Sequence, residues 1–248
     1  MKQVALVTGS GKRRIGWHVA QALADRGFSL AIHYHHSADE AEQTVAQLQA
    51  RGVSAAAFAA DLADEQAVSR LMAQVLAKFG QLDVLVTCAA IWQRKKLEEV
   101  TAEDVRRHFE INTLGTFLCC QQAGLAMAAQ RTGGCIVTIG DWATVRPYLD
   151  YAAYFPSKGA IPTLTRDLAV ELGTRNPAVR VNCIQPGPVM LPDDLPPEER
   201  RQAIDATLVR REGKPENVAL AVLHFIDNDF LTGVCLPVDG GRSVYAPG

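Results

Sequence analysis

Short apolar runs alternate with longer amphipathic stretches along almost the entire chain. The apolar runs, each of which predicts a β-strand, are Val4–Thr8, Leu30–Tyr34, Ser54–Ala59, Val84–Thr87, Ile136–Ile139, Val179–Ile184 and Val234–Val238. The stretches between them have helical spacing of apolar positions and predict helices over Ile15–Arg26, Ala38–Arg51, Glu65–Phe79, Ala102–Ala129, Ala152–Leu172 and Glu216–Ile226. Strands that are apolar throughout and alternate with helices are typical of a parallel sheet covered on both faces.

This pattern predicts an α/β protein with one doubly wound sheet of about seven parallel strands and helices on both faces. Residues 1–248 contain no repeat and no linker, so we expect a single domain. Residues 186–208 carry five prolines and predict a long loop with a short helix. Long loops in compact domains are often functional, which makes this segment the candidate substrate loop.

Composition narrows the possible functions. The 25 basic and 27 acidic residues give a net charge of −2, which argues against general attraction to nucleic acid or to an anionic membrane. No apolar run is long enough for a membrane span, and the first residues do not resemble a secretion signal. The six cysteines form no Cys-x-x-Cys pair, so buried free thiols and a cytoplasmic location are expected.

A glycine-containing turn, Thr8-Gly9-Ser10-Gly11-Lys12-Arg13-Arg14-Ile15-Gly16, joins the first predicted strand to the first helix. Glycines in such a turn allow close approach of a pyrophosphate, and the helix N-terminus supplies N–H groups and positive potential. The three consecutive cations stand where the helix dipole repels positive charge, so we expect an anion to join them. The alternative is a solvated basic turn.

The second predicted strand ends in His33-Tyr34-His35-His36-Ser37, and no acidic residue follows before Asp39. A cofactor with a free ribose 2′-hydroxyl usually meets an acidic side chain here, whereas His, Ser and a nearby Arg suit a 2′-phosphate. NADP(H) is therefore favoured over NAD. The histidines could instead begin a metal site, but no further pair stands nearby to complete a ligand shell, and no metal is predicted. Asp61 could accept a hydrogen bond from an adenine amino group or be an ordinary loop residue.

Tyr154 and Lys158 lie four residues apart at the start of a predicted helix and therefore share one face. An ammonium near the tyrosine would lower the tyrosine pKa and prepare it for proton transfer to a C=O or C=N bond. Asp141 lies just past the preceding strand, where a loop carboxylate or a helix cap is the alternative reading. Asn112 lies in a segment expected to bend, and a water chain to Lys158 is one possible partner for it.

Across nearly the whole chain these motifs closely resemble the short-chain dehydrogenase/reductase family. The motifs are the turn at 8–16, Asp61-Leu62, the segment 83–90, Asn112, the Tyr154/Lys158 pair, Pro186-Gly187 and the segment 238–241. The resemblance implies a Rossmann-like fold, hydride transfer with a nicotinamide cofactor, a dimer or tetramer, Tyr154 as proton donor, Lys158 on the nicotinamide ribose and a relay through Asn112. The implied cofactor contacts are Gly9, Lys12, Arg14, Ile15, His33, Tyr34, His35, His36, Ser37, Asp61, Leu62, Cys88, Ala89, Ala90, Lys158, Pro186 and Gly187.

Several positions depart from the usual family pattern. The turn is one residue longer and has arginine in place of a glycine, Thr87-Cys88-Ala89-Ala90 replaces Asn-Asn-Ala-Gly, Asp141 replaces the catalytic serine, and Trp92 follows the fourth strand. The arginine, the aspartate and the aromatic ring resemble the pteridine reductase branch. That resemblance implies a flat pterin between the nicotinamide and Trp92, with Arg14, Asp141 and Tyr154 as further substrate contacts. Ala90 departs from this branch, which has a serine there.

The leading hypothesis from the sequence is thus an NADPH-dependent reductase of a flat, pterin-like heterocycle, most like dihydropteridine or dihydrofolate. A carbonyl reductase, such as a 3-oxoacyl-(acyl-carrier-protein) reductase or a sugar or steroid dehydrogenase, is the alternative that Ala90 favours. In that case an Asp141 carboxylate would oppose the oxyanion that forms at the carbonyl. A nucleotide-sensing protein without turnover is a third possibility, and the Tyr154/Lys158 pair argues against it. Trp92 could also be a packing residue, with Trp142 covering the pocket instead.

Overall fold

The computed structural model describes residues 2–245, which form one seven-stranded parallel sheet with the strand order β3-β2-β1-β4-β5-β6-β7. The strands are β1 Val4–Thr8, β2 Ser29–Tyr34, β3 Ala55–Ala59, β4 Val84–Thr87, β5 Gly134–Ile139, β6 Val179–Pro186 and β7 Cys235–Val238. The α-helices are α1 Ile15–Asp25, α2 Ala38–Ala50, α3 Glu65–Phe79, α4 Ala102–His108, α5 Gly115–Ala129, α6 Tyr154–Arg175, α7 Pro197–Asp205 and α8 Pro215–Asp227. The predicted doubly wound α/β fold is confirmed.

Two hydrophobic cores lie on opposite faces of the sheet. Along β1, Leu6 points toward the face covered by α3, α5 and α6, whereas Ala5 and Val7 point toward α1, α2 and α8. Because both faces of the central strands are covered, nearly every residue in them is apolar and buried. Within residues 2–245, every helix is too short or too polar to cross a membrane.

The stretch predicted as one regular helix over Ala102–Ala129 is interrupted. A π-helical segment, Phe109–Leu114, lies between α4 and α5 and contains Asn112, around which the sequence predicts a bend. The wider turn brings Asn112 to a fully buried position, and its carbonyl accepts a hydrogen bond from Thr116 Oγ1 at 2.8 Å. Periodicity predicted the helices but not the inserted turn, since β-branched residues and a glycine weaken a helix without defining how it deforms.

The candidate substrate loop begins where β6 ends at Pro186, and it contains α7. The predicted loop with one short helix is therefore confirmed. Helix α7 contacts the segment after β4, because Arg94 Nη1 donates to Glu199 Oε2 at 3.1 Å. The loop and the β4–α4 segment together border the carboxyl ends of the strands, where ligands bind in open α/β sheets.

Candidate active site

The turn after β1 packs tightly against the end of β4. Gly9 has φ +64°, and a Cβ at this position would lie 2.9 Å from Ala89 Cα. A Cβ on Gly16 would lie 2.8 Å from the Gly9 carbonyl oxygen. Glycine is thus required at both positions by backbone conformation or by close approach, as expected for a phosphate-binding turn.

His33 supports this turn from below. The ring is buried, its Nδ1 accepts a hydrogen bond from Gly9 N–H at 3.0 Å, and its Nε2 lies 3.1 Å from the Ala60 carbonyl oxygen. Burial lowers the pKa of His33 to about 4, so the ring is neutral and donates through Nε2. The geometry corrects the expectation that His33 contacts the cofactor directly, because both ring nitrogens are engaged inside the protein.

The outer surface of the same turn suits an anionic nucleotide. Among the described residues, no side chain caps the N-terminus of α1 or of α2. Lys12, Arg13 and Arg14 are exposed before α1, and the exposed rings of His35 and His36 stack at 3.6 Å before α2. Uncapped N–H groups and exposed cations together fit phosphate groups. The residues present therefore fit a dinucleotide on this surface.

The remaining predicted cofactor positions lie along the same edge of the sheet. Asp61 Oδ1 accepts from Ala63 N–H at 3.0 Å, and its other carboxyl oxygen lies 3.9 Å from His35 Nε2. Half-buried Cys88 and Ala89 follow β4, and burial raises the pKa of Cys88 to about 12. The other predicted positions at this edge are Ile15, Tyr34, Ser37, Leu62, Ala90, Pro186 and Gly187. Within residues 2–245, no group of three or more His, Cys, Asp or Glu side chains could hold a metal ion.

The buried Tyr154 and the half-buried Asp141 form a pair of acidic groups past the end of β5. The Tyr154 hydroxyl donates to Asp141 Oδ2 at 2.8 Å, and Asp141 Oδ1 accepts from Ala143 N–H at 2.8 Å. The second bond caps the short 3₁₀ turn Trp142–Thr144. One carboxyl oxygen therefore has the capping role considered for Asp141, while the other contacts the tyrosine.

Lys158 corrects one expectation from the sequence. Its buried Nζ donates to the Ile139 carbonyl oxygen at 2.8 Å, and the partner of the Tyr154 hydroxyl in the described structure is Asp141 instead. Burial, followed by the nearby Asp141 charge, raises the pKa of Tyr154 well above its usual value. The expected lowering of the tyrosine pKa by Lys158 is thus absent from the described geometry, since the ammonium sits beside a backbone carbonyl.

Burial also shifts the other two ionisable groups toward their neutral forms. It raises the pKa of Asp141, although the Ala143 N–H, Tyr154 and Lys158 all oppose the shift. It lowers the pKa of Lys158, against the attraction of Asp141. Charges in a buried site are costly unless they are paired, so the protonation states of the three groups are linked.

Asn112 is satisfied by direct protein contacts. Its Oδ1 accepts from Ile91 N–H at 2.8 Å, and its Nδ2 donates to the Ile91 carbonyl and to Ser157 Oγ, both at 3.0 Å. The side chain thus has partners within the protein, and the water chain to Lys158 stays a prediction. Ser157 was missed, although its position between Tyr154 and Lys158 could have indicated a partner for a buried amide.

An aromatic cluster flanks the acid–base pair. Trp92, 40% exposed, stacks on Tyr151 with ring centroids 4.8 Å apart and planes at 10°. Tyr151 was not identified from the sequence, because no spacing motif relates it to Trp92. Trp142 is buried beneath Arg242, whose guanidinium lies 5.0 Å from the ring centroid. Trp92 is thus the more exposed of the two indole rings, whereas Trp142 is buried.

Similar proteins have the same architecture over nearly their full lengths. A family model described as enoyl-(acyl carrier protein) reductase matches residues 9–243. Versicolorin reductase 1 of Aspergillus parasiticus is 35% identical over 257 residues, covering 96% of this chain and 95% of that protein. A short-chain dehydrogenase/reductase structure from Serratia marcescens has a TM-score of 0.89 and 34% identity, covering 98% of each chain. The chain belongs to the short-chain dehydrogenase/reductase family.

Membership in the short-chain dehydrogenase/reductase family makes the chain an oxidoreductase of a type that uses nicotinamide cofactors. A 3-oxoacyl-(acyl-carrier-protein) reductase of Staphylococcus aureus is 31% identical over 246 residues, covering 97% of this chain and 98% of that protein. A blue fluorescent protein from a metagenomic library, solved in complex with NADPH, has a TM-score of 0.88 and 33% identity, covering 98% of each chain. The names of these relatives do not refer to pterins, so membership of the pteridine reductase branch is not shown.

Proposed function

We propose that the protein is an NADPH-dependent reductase of a flat, ring-containing substrate, with a dihydropteridine or dihydrofolate as the leading candidate. The observation that carries this proposal is the 2.8 Å hydrogen bond between the buried Tyr154 hydroxyl and the half-buried Asp141 carboxyl. An aspartate that shares a proton with the tyrosine offers different chemistry from the serine that is usual in the family. Asp141 can supply a proton, and its burial favours the protonated form.

The proton transfer follows from the pKa shifts. When bound, the nicotinamide supplies the hydride. Tyr154 passes its hydroxyl proton to the substrate nitrogen or oxygen, while protonated Asp141 returns a proton to the tyrosine oxygen. This route avoids a buried phenolate, which the raised pKa of Tyr154 makes unfavourable. It leaves the Asp141 carboxylate within reach of the attraction of Lys158.

The aromatic cluster supports a flat substrate. Tyr151 occupies one face of Trp92, and the 40% exposure of Trp92 leaves ring surface available for stacking. Offset stacking adds to the favourable burial of a planar ring. Arg14, exposed at the start of α1, would contact a cofactor phosphate and the substrate.

Exposed cations support the choice of NADPH over NADH. Lys12 and Arg14 would place positive charge beside a ribose 2′-phosphate, and His35 and Ser37 would offer hydrogen-bond donors to it. We expect fluorescence titration to give tighter binding of NADPH than of NADH, because a doubly charged phosphate gains most from this surface. Equal affinities would contradict the cofactor assignment and leave the family assignment intact.

A carbonyl reductase is the second candidate. Ala90 supports it, because the pteridine reductase branch has a serine at that position. The names of the versicolorin and 3-oxoacyl-(acyl-carrier-protein) reductase relatives also support it. A decisive assay follows NADPH oxidation with dihydrobiopterin, dihydrofolate and an acetoacetyl thioester. Turnover of a pterin supports the leading proposal, and turnover of the thioester alone refutes it.

The role of Asp141 has its own test. We expect the wild-type rate to fall as pH rises through the raised pKa of Asp141, because the ionised carboxyl no longer donates and opposes developing negative charge. The rates of Asp141→Ser and Asp141→Asn should not show this fall with pH, and both variants should reduce ring substrates at least about tenfold more slowly than the wild type. Asp64→Asn, which alters the N-cap of α3, is the matched control. An unchanged rate and pH profile in Asp141→Ser would show that Asp141 only caps the 3₁₀ turn and takes no part in proton transfer.

A further inference from the structure

Two cysteines lie side by side near one edge of the sheet, outside the acid–base site. Cys183 of β6 and Cys235 of β7 are direct register partners in neighbouring parallel strands. Such partners project from the same face of the sheet, and adjacent strands are about 4.8 Å apart. Disulfides join residues whose Cα atoms are roughly 4.4–6.8 Å apart. The backbone therefore already satisfies the Cα spacing that a disulfide requires.

The two thiols have different environments. Cys183 is fully buried, whereas Cys235 is partly exposed on the final strand. The neighbouring Cys183 thiol and the positive charge of Arg166 lower the pKa of Cys235, although its partial burial opposes the shift. Interaction with Cys235 and burial raise the pKa of Cys183. Cys235 is thus the more exposed and the more readily ionised thiol of the pair, and Cys183 is the thiol that keeps its proton.

The other cysteines contrast with this pair. Burial raises the pKa of Cys88 and of Cys119 to about 12, and it raises that of Cys135 to about 11. Cys120 is shifted in the same direction. All four are therefore protonated at neutral pH, and protonated thiols react slowly with oxidants. Reactivity is expected at Cys235, with Cys183 placed to complete a disulfide.

We propose that Cys183 and Cys235 form a redox-active dithiol site that a hydroperoxide converts to a disulfide. The Cys235 thiolate attacks one oxygen of hydrogen peroxide, the O–O bond breaks, and the released hydroxide takes up a proton as water. Cys183 Sγ then attacks the sulfur of the resulting sulfenic acid, and the S–O bond breaks. The second hydroxide takes the Cys183 proton. Two thiols lose two electrons, and one peroxide becomes two waters.

Cys183 packs close to the loop that carries Asp141. A Cβ placed on Gly140 would lie only 3.1 Å from Cys183 Sγ, so this sulfur supports the residue that precedes Asp141. Two residues further along β6, Gln185 Nε2 donates to the Asp141 carbonyl oxygen at 3.4 Å. Turning Cys183 Sγ toward Cys235 would withdraw support from the Asp141 loop. We therefore expect the oxidised enzyme to turn over more slowly.

The chemical test uses the full-length protein, purified under reduction and then treated with a small excess of hydrogen peroxide. We expect two fewer alkylatable thiols after denaturation, a cross-linked peptide containing Cys183 and Cys235, and recovery with dithiothreitol. Cys120→Ala should form the same cross-link, while Cys183→Ser and Cys235→Ser should form none. Oxidation of Cys235 beyond the sulfenic acid without a cross-link, or preferential oxidation of another cysteine, would overturn the proposal.

A separate measurement tests the connection to the site, and it rests on the proposed reductase activity. Peroxide-treated wild type should lose most of its NADPH-oxidising activity and regain it with dithiothreitol, whereas Cys235→Ser should keep its activity through the same treatment. Equal losses in both proteins would overturn the connection. The thiol count and the cross-link require no substrate. They would therefore still test the Cys183–Cys235 disulfide if the reductase assignment were wrong.

Discussion

The nucleotide side and the acid–base side lie at the same edge of one sheet but are built in opposite ways. On the proposed nucleotide side, the cations Lys12 and Arg14 before α1 are exposed to solvent. On the acid–base side, Asp141, Tyr154 and Lys158 are withdrawn from solvent and shift one another's pKa values. Water and salt screen the interactions of surface charges, so losing one such charge has a small effect. Buried polar groups lack this screening, so losing one contact has a large effect.

His33 qualifies this contrast, because it lies on the nucleotide side and yet behaves as a buried group. It holds Gly9 through one ring nitrogen and Ala60 through the other. The turn proposed to bind the cofactor phosphates thus rests on a neutral buried imidazole. Large effects are expected wherever a buried hydrogen bond is lost, and small effects wherever an exposed charge is lost, whichever side the residue is on.

The largest expected effect is at Tyr154, the proposed proton donor. Tyr154→Phe removes the hydroxyl that contacts Asp141 and should lower kcat by about 10²- to 10⁴-fold, because general acid catalysis is lost. Tyr151→Phe removes a hydroxyl from the same aromatic cluster and is the matched control. Steady-state kinetics and NADPH titration check both variants. Unchanged turnover in Tyr154→Phe would remove the basis for the acid–base assignment.

The next effect is on stability, and it has a defined sign. The His33 pKa falls from 6.5 to about 4 on folding, so between these values the unfolded chain binds a proton that the folded chain does not. Stability is therefore present above pH 6.5 and is lost as pH falls toward 4, by about 3 kcal/mol at most.

Urea unfolding across this pH range measures the slope. His33→Gln should flatten it while lowering stability at neutral pH, because the Gly9 and Ala60 hydrogen bonds are disturbed. His36→Gln changes an exposed neighbour and should keep the wild-type slope. A wild-type slope that persists in His33→Gln would assign the acid sensitivity to another group.

How far the sequence could predict this molecule follows the same contrast. Apolar runs predicted all seven strands, because burial on both faces leaves a simple pattern. The turn at Gly9 and the cations after it were readable, since backbone freedom and charge are local properties. The Tyr154/Lys158 spacing was also local. The effect of Lys158 on the pKa of Tyr154 could not be predicted from this spacing, because the contact of Lys158 with Ile139 depends on where β5 ends.

The residues missed from the sequence depend on tertiary placement. Ser157 accepts a hydrogen bond from Asn112, which lies buried in the π-helical segment. Tyr151 stacks on Trp92 across two loops that no periodic pattern connects. His33 has the alternating position of a strand residue, but its role depends on Gly9 and Ala60 reaching its two nitrogens. Sequence patterns indicate burial and face, and partners require the fold.

A smaller effect is expected on the exposed nucleotide surface. Arg14→Ala should weaken NADPH binding about tenfold through loss of a charge-assisted phosphate contact, with little change in NADH binding. The difference should shrink as salt is raised, because solvent-exposed charges are screened. Arg131→Ala makes the same charge change before β5, at the end of the sheet where the strands begin, and should bind NADPH normally. Equal weakening of both cofactors would indicate that Arg14 contacts the shared pyrophosphate instead.

The smallest expected effect concerns the contact between the substrate loop and the β4–α4 segment. Arg94 donates to Asp150 Oδ2 at 3.0 Å and to Glu199 of α7 at 3.1 Å, and all three side chains are at least partly exposed. Exposed ion pairs contribute little, so Arg94→Ala should raise the substrate KM about two- to fivefold and leave kcat nearly unchanged. Arg201→Ala removes a pair within α7 and should have less effect, because that pair does not join two segments. A tenfold fall in kcat for Arg94→Ala would show that the loop controls the acid–base groups. The expectation that losing an exposed charge has a small effect would then be wrong at this contact.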